Sequence, residues 1–152
     1  MITIGNELMG DDGAGPLLAS LLEQLRVPGW DVLDGGPMPE NVLHRVRALQ
    51  PDVAVVVDAC DMNLEAGSVR LVSEDDIDSG FFLTTHRLPL VFFLAALREV
   101  VSDVYFVGIQ PRHVAFGVPI SREVRRAVGL IYRRLREGRL DFPRYEGFPR
   151  WE

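Results

Sequence analysis

The chain contains no lysine: all 16 of its basic side chains are arginine. Against 22 acidic residues this leaves a net charge of −6. A surplus of acid excludes nucleic-acid binding as a primary role, because neutralising phosphates takes base. The chain has one cysteine, Cys60, so it has no internal disulfide, and this fits a reducing compartment. No apolar run approaches the ~20 residues of a membrane span. The opening Met1-Ile2-Thr3-Ile4 lacks the charged-then-apolar pattern of a secretory signal. The most apolar stretch, Leu88–Leu97, contains Pro89 and reads as a buried helix. Repeats and low-complexity tracts are missing too. These absences predict a cytoplasmic protein with no membrane or nucleic-acid partner.

What is present is ordinary globular composition, 47% hydrophobic and 25% charged. The length of 152 residues predicts one domain spanning 1–152, able to bury roughly 70% of its unfolded-chain surface. Strand and helix patterns alternate, as in an α/β protein with helices on both faces of a mostly parallel sheet. Expected strands are Ile2–Ile4, Trp30–Leu33, Val53–Val57, Ser68–Val72 and Val104–Val107. Val53–Val57 is unbroken and β-branched, as a central strand buried on both faces should be.

Leucines 17, 18, 21, 22 and 25 predict a first helix over about Ala14–Arg26. Val42 to Leu49 gives a second, stopped before Pro51. Glu74-Asp75-Asp76 opens a polar connection, and a third helix follows His86. Val124, Ala127, Val128, Ile131 and Leu135 trace the inner face of the last, with Arg125, Arg126, Arg133 and Arg134 on a solvated side. The tail 138–152 has no period and is expected to be an irregular, frayed terminus.

Chemistry-bearing residues gather where strands hand over to loops. Gly5, Gly10, Gly13 and Gly15 surround Asp11 and Asp12 between the first strand and first helix. No Lys-Ser/Thr pair follows, so this is not a Walker loop, and the dinucleotide fingerprint lacks its third glycine. Two aspartates at a helix N-terminus would also repel a pyrophosphate. Helix capping is the bland alternative. The sharper reading aims one of the two carboxylates into a cleft and leaves the other to serve the local backbone, since adjacent loop residues point apart.

Asp58 ends the third strand and His86 precedes a helix. In an open parallel sheet both positions, with Asp12, fall on the rim where ligands bind. Two carboxylates and an imidazole suit a divalent ion or acid–base chemistry. Taken individually, Asp58 has a strand-end turn residue as its lesser alternative, while His86 alone reads as a cap or a satisfied polar group. Cys60 could pair with His86 as a nucleophile, but Asp58 and Asp61 beside it would raise its thiol pKa, so a buried small thiol is expected. His44 and His113 read as surface or structural groups. A phosphoacceptor receiver also carries such acids, but it uses a lysine that this chain lacks. A nucleotide-binding module is disfavoured by the charge of the loop.

Taken together, Gly5-Asn6 through Gly15, Asp34-Gly35-Gly36, Val57-Asp58-Ala59, Thr84-Thr85-His86 and Gly108-Ile109-Gln110-Pro111 resemble the [NiFe]-hydrogenase maturation endopeptidases. The resemblance runs in order over about residues 1–135. Pro39-Glu40-Asn41, Asp61-Met62 and Gly108-Ile109-Gln110-Pro111 are most similar to the branch that processes the formate-hydrogenlyase hydrogenase. It implies an endopeptidase that removes a C-terminal extension from the hydrogenase large-subunit precursor after nickel insertion. It further implies that Asp12 enters the cleft while Asp11 serves the local backbone, that Asp12, Asp58 and His86 contact the metal and that Asp34-Gly35-Gly36 senses the precursor. Other branches carry glutamate at the first position, so Asp12 reaches one methylene less far. The implied catalysts are Asp12 and Asp58, acting by aspartic-type or nickel-assisted chemistry. No permanently bound cofactor is expected, nickel being contacted through the substrate, and the protein is expected to be a monomer. The first strand is short for the family, which leaves room for residues upstream.

Overall fold

The computed structural model describes residues 1–78 and 87–147. Its elements are β1 (Ile2–Thr3), α1 (Ala14–Gln24), β2 (Leu33–Asp34), α2 (Leu43–Leu49), β3 (Val53–Ala59), β4 (Val69–Val72), α3 (Glu74–Asp78), α4 (Arg87–Arg98), β5 (Asp103–Ile109) and α5 (Arg122–Arg136). Tight 3₁₀ turns, Gly10–Gly13 and Pro39–Val42, lead into α1 and α2. The sheet order is β2-β1-β3-β5-β4. Every pairing is parallel except that of β4 with β5.

Side-chain period two explains the layering. Along β3, Val55 and Val57 enter one core while Ala54 and Val56 enter the other. The first core also takes Leu18 and Leu22 of α1 and Val124, Val128 and Ile131 of α5. The second takes Val46 of α2 and Leu90, Leu94 and Leu97 of α4. Each fully buried Val, Leu or Ile contributes about 1.5–3 kcal/mol, which is why a strand with apolar residues on both faces becomes the centre. The result is the expected α/β/α sandwich around five strands.

The sheet reverses its strand order between β1 and β3, and this crevice positions the site. β1 ends at Thr3 opposite Val57, and the Ile4 N–H still donates to the Val57 carbonyl at 2.9 Å. β3 runs on, pairing Asp58 with Gly108 and Ala59 with Ile109 of β5. Asp58 is therefore inside a strand, not after it, beyond the end of its neighbour β1.

Other differences from the sequence reading have local causes. β2 is two residues long and not Trp30–Leu33, because Val27 and Trp30 close a turn (Trp30 N to Val27 O, 3.1 Å) and β1 offers only two residues to pair with. Glu74-Asp75-Asp76 is helical: the Ser73 hydroxyl accepts from the Asp76 N–H at 3.2 Å, a serine cap with an acid three residues on. The helix over Leu88–Leu97 is not buried all round, since Phe92 is exposed while Phe93 and Leu94 are buried.

The described part of the tail, residues 138–147, is docked on the fold. Leu71 donates to Pro143 O at 2.9 Å and Tyr145 donates to Leu71 O at 2.8 Å, so the tail covers the outer edge of β4. Phe142 and Tyr145 are buried, and Arg134 bonds Asp141 at 3.0 Å. Covering an edge strand is a non-local gain that no local period reveals.

Candidate active site

The glycine-rich loop brings two adjacent aspartates to the crevice and sends them apart. Gly5 has φ +147°, and a Cβ there would stand 2.0 Å from the Asp12 carbonyl oxygen. A Cβ at Gly15 would stand 2.1 Å from the Ile4 carbonyl oxygen. Both contacts are with backbone, so the loop can fold down onto β1 only with glycine at these positions. Neither aspartate caps α1, whose N-cap is Gly13 with no side-chain bond.

Asp12 is 2% exposed, and its Oδ2 accepts from the Asn6 N–H at 3.0 Å. The 3₁₀ turn that carries it packs against β3. Asp58, at 0% exposure, lies on β3 at the strand-order reversal. Two carboxylates from distant parts of the sequence thus share the rim beyond β1. His86 lies outside the described residues; Arg87, next in the chain, opens α4. Among the described residues, no three His, Cys, Asp or Glu side chains form a metal-holding group.

Asp11 does not serve its local backbone. Its Oδ1 accepts from the Ser121 N–H at 2.7 Å. Its Oδ2 accepts from the Arg112 N–H at 2.8 Å, the Ser121 hydroxyl at 2.9 Å and the His113 N–H at 3.3 Å. The Asp11 N–H donates back to His113 O at 3.1 Å. The connection from β5 to α5 has no sheet or helix partner for these N–H groups, so a buried carboxylate satisfies them. Burial alone would raise its pKa. The bonds from Ser121, Arg112 and His113 outweigh that and hold it below its ordinary 3.8.

A folded-state pKa below the unfolded one adds stability that is full above the ordinary carboxylate value and is lost as pH falls through the depressed one. Asp11→Asn is therefore expected to cost about 2–3 kcal/mol at neutral pH. Its deficit against wild type should shrink in acid below pH ~4. Urea unfolding at a series of pH values checks this, and a deficit independent of pH would contradict it.

The Asp34-Gly35-Gly36 segment adjoins the glycine-rich loop. Asp34 Oδ1 accepts from Gly36 N–H at 2.9 Å and from the Thr3 hydroxyl at 3.2 Å. The Gly36 carbonyl accepts from Gly5 N–H at 2.9 Å.

Cys60 is buried. Burial first, then Asp58 and Asp61, pushes its thiol well above the usual range, so it is no nucleophile. His44 and His113 are exposed side chains. Gln110 carries a role that the sequence reading did not assign. Its Oε1 accepts from Met62 N–H at 2.7 Å and Leu64 N–H at 3.2 Å, and its Nε2 donates to Asp61 Oδ1 at 3.1 Å. It pins the loop leaving Asp58. A polar residue at the end of an apolar strand was the available signal.

Comparison with known proteins then fixes the family. The family described as HycI hydrogenase maturation protease matches residues 16–137. The chain belongs to the hydrogenase maturation proteases. It is 42% identical to the Hydrogenase 3 maturation protease of Escherichia coli K12 over 135 residues, covering 89% of this chain and 86% of that protein. The solution structure of the endopeptidase HycI from Escherichia coli superposes with a TM-score of 0.88 at 39% identity, covering 100% of this chain and 98% of that one. A [NiFe] hydrogenase maturation protease HycI from Thermococcus kodakarensis gives 0.76 at 29% identity, covering 90% and 88%. As a member of this family the chain is a peptidase, and no helix among its described residues is long and apolar enough to cross a membrane.

Proposed function

We propose that the chain cuts the C-terminal extension from a [NiFe]-hydrogenase large-subunit precursor once nickel is in place. In this reading Asp12, Asp58 and His86 meet the substrate's nickel, and one of the two aspartates takes the proton of the attacking water. The observation that carries it is the pair of buried carboxylates, Asp12 from the 3₁₀ turn after β1 and Asp58 from β3, at the strand-order reversal. Likeness to the Hydrogenase 3 maturation protease favours the formate-hydrogenlyase branch.

The path into α4 supports His86 as the third contact. α4 packs on the 3₁₀ turn that follows β2 and returns the chain to the start of β5, so Arg87 enters from the strands' carboxyl rim. Two carboxylates and an imidazole leave a metal's coordination incomplete, and the precursor's own ligands fill the remainder. The bond from Gly5 N–H to the Gly36 carbonyl, which ties the Asp34-Gly35-Gly36 loop to the glycine-rich loop, supports its contact with the same substrate. The protein works as a cytoplasmic monomer with no resident cofactor.

Incubation with nickel-loaded precursor, read by intact mass, tests this. The expected outcome is loss of one C-terminal segment; an unchanged precursor mass would refute it.

A further inference from the structure

The loops after β1 and β5 are joined over the end of the strand between them. Gly117 N–H donates to Leu8 O at 2.9 Å, and Asp11 N–H donates to His113 O at 3.1 Å. Since β1 and β5 flank β3, these bonds bring the two loops together beyond the strand that carries Asp58. The joined loops leave large apolar side chains in solvent: Phe116 is 77% exposed, Leu8 58%, and Val114 is exposed beside them.

Such a lip is costly to leave wet, and it is not loose chain. Four bonds to the buried Asp11 carboxylate hold its Arg112–Ser121 arm. Asn6 holds the other arm, accepting from Leu8 N–H at 3.0 Å through its side chain while its own N–H donates to Asp12. A rigid, exposed aromatic anchor with aliphatic neighbours is the usual make-up of a protein-binding hot spot.

We propose that Leu8, Val114 and Phe116 form a docking lip that seats an apolar surface of the folded large-subunit precursor next to its nickel. This rests on the function proposed above. The occupant follows from the site: Asp12 and Asp58 are almost wholly buried, so they offer little surface for holding a folded protein. A specific protein–protein contact needs about 800 Å² on each partner. The lip is continuous with the Asp12 loop through Asn6, so a substrate reaching the carboxylates covers it. The Asp11 bonds make it a preformed surface whose ordering costs nothing on binding.

The test is steady-state processing of nickel-loaded precursor by wild type, Phe116→Ser, Leu8→Ser and Leu49→Ser. Leu49 is an exposed leucine at the end of α2, just before β3 begins, at the opposite end of the strands. Phe116→Ser and Leu8→Ser should raise KM about tenfold or more with kcat little changed, and Leu49→Ser should match wild type. Thermal unfolding of each variant separates docking from misfolding, and Phe116→Leu should recover part of the affinity. An unchanged KM in folded Phe116→Ser, with wild type active, overturns the lip alone. So does a wild-type dimer that Phe116→Ser dissociates, because a second copy would then be the occupant. A wild type that leaves the precursor intact removes the proposed function and the lip with it.

Discussion

Asp58→Asn is expected to leave the chain folded and to slow precursor processing by about 10²–10⁴-fold. The fold survives because β3 is held at this position by backbone pairing with Gly108, and asparagine has the shape of aspartate. Activity is lost because the amide can neither take a proton from water nor offer an anionic ligand to a cation. Asp12→Asn should behave alike, since its Oδ2 contact with the Asn6 N–H can be kept by an amide oxygen. The measurement is the rate of mass conversion of nickel-loaded precursor, with urea unfolding of each variant alongside. Processing by Asp58→Asn at the wild-type rate would return Asp58 to the status of a strand-end structural residue.

What the sequence made legible is what repeats locally. The β-branched run Val53–Val57 and the helical spacing of Val124 to Leu135 each carry a period that packing enforces, and both elements appear within a few residues of their expected bounds. The place of Asp58 at the strand-order reversal was legible because an apolar run ending in a carboxylate marks the carboxyl end of a strand. Asp11 was misread for the opposite reason. Its partners lie at 112, 113 and 121, and no local pattern carries a bond across a hundred residues. The docked tail was invisible in the same way: Phe142 and Tyr145 are buried by what they meet across the fold, while their neighbours are Gly, Pro and Arg. Spacing cannot tell such a segment from a frayed one. Gln110 stood at a strand end in plain view, but its value lies in three bonds to residues some fifty positions away.

Precursor freed rigorously of nickel is expected to be processed at least about 10²-fold more slowly than the loaded form. Asp12 and Asp58 are both shut off from solvent, and carboxylates so placed cannot rely on water to offset their mutual repulsion. Like charges 4 Å apart repel by about 4 kcal/mol at an effective dielectric of 20. A divalent ion between two such groups reverses the sign of the local field, so the loaded precursor is bound through a charge that the empty one lacks. With each ~1.4 kcal/mol worth a factor of ten, even half of that difference exceeds tenfold, and ligand bonds to the metal add to it. Selection for nickel then needs no separate sensor, because only the loaded precursor brings a dication to the pair. The experiment compares loaded, empty and nickel-restored precursor at equal concentration, read by mass, and restoring nickel should recover cleavage. Efficient cutting of the empty precursor at the same bond would overturn the metal's role and leave Asp12 and Asp58 as a metal-independent aspartic pair.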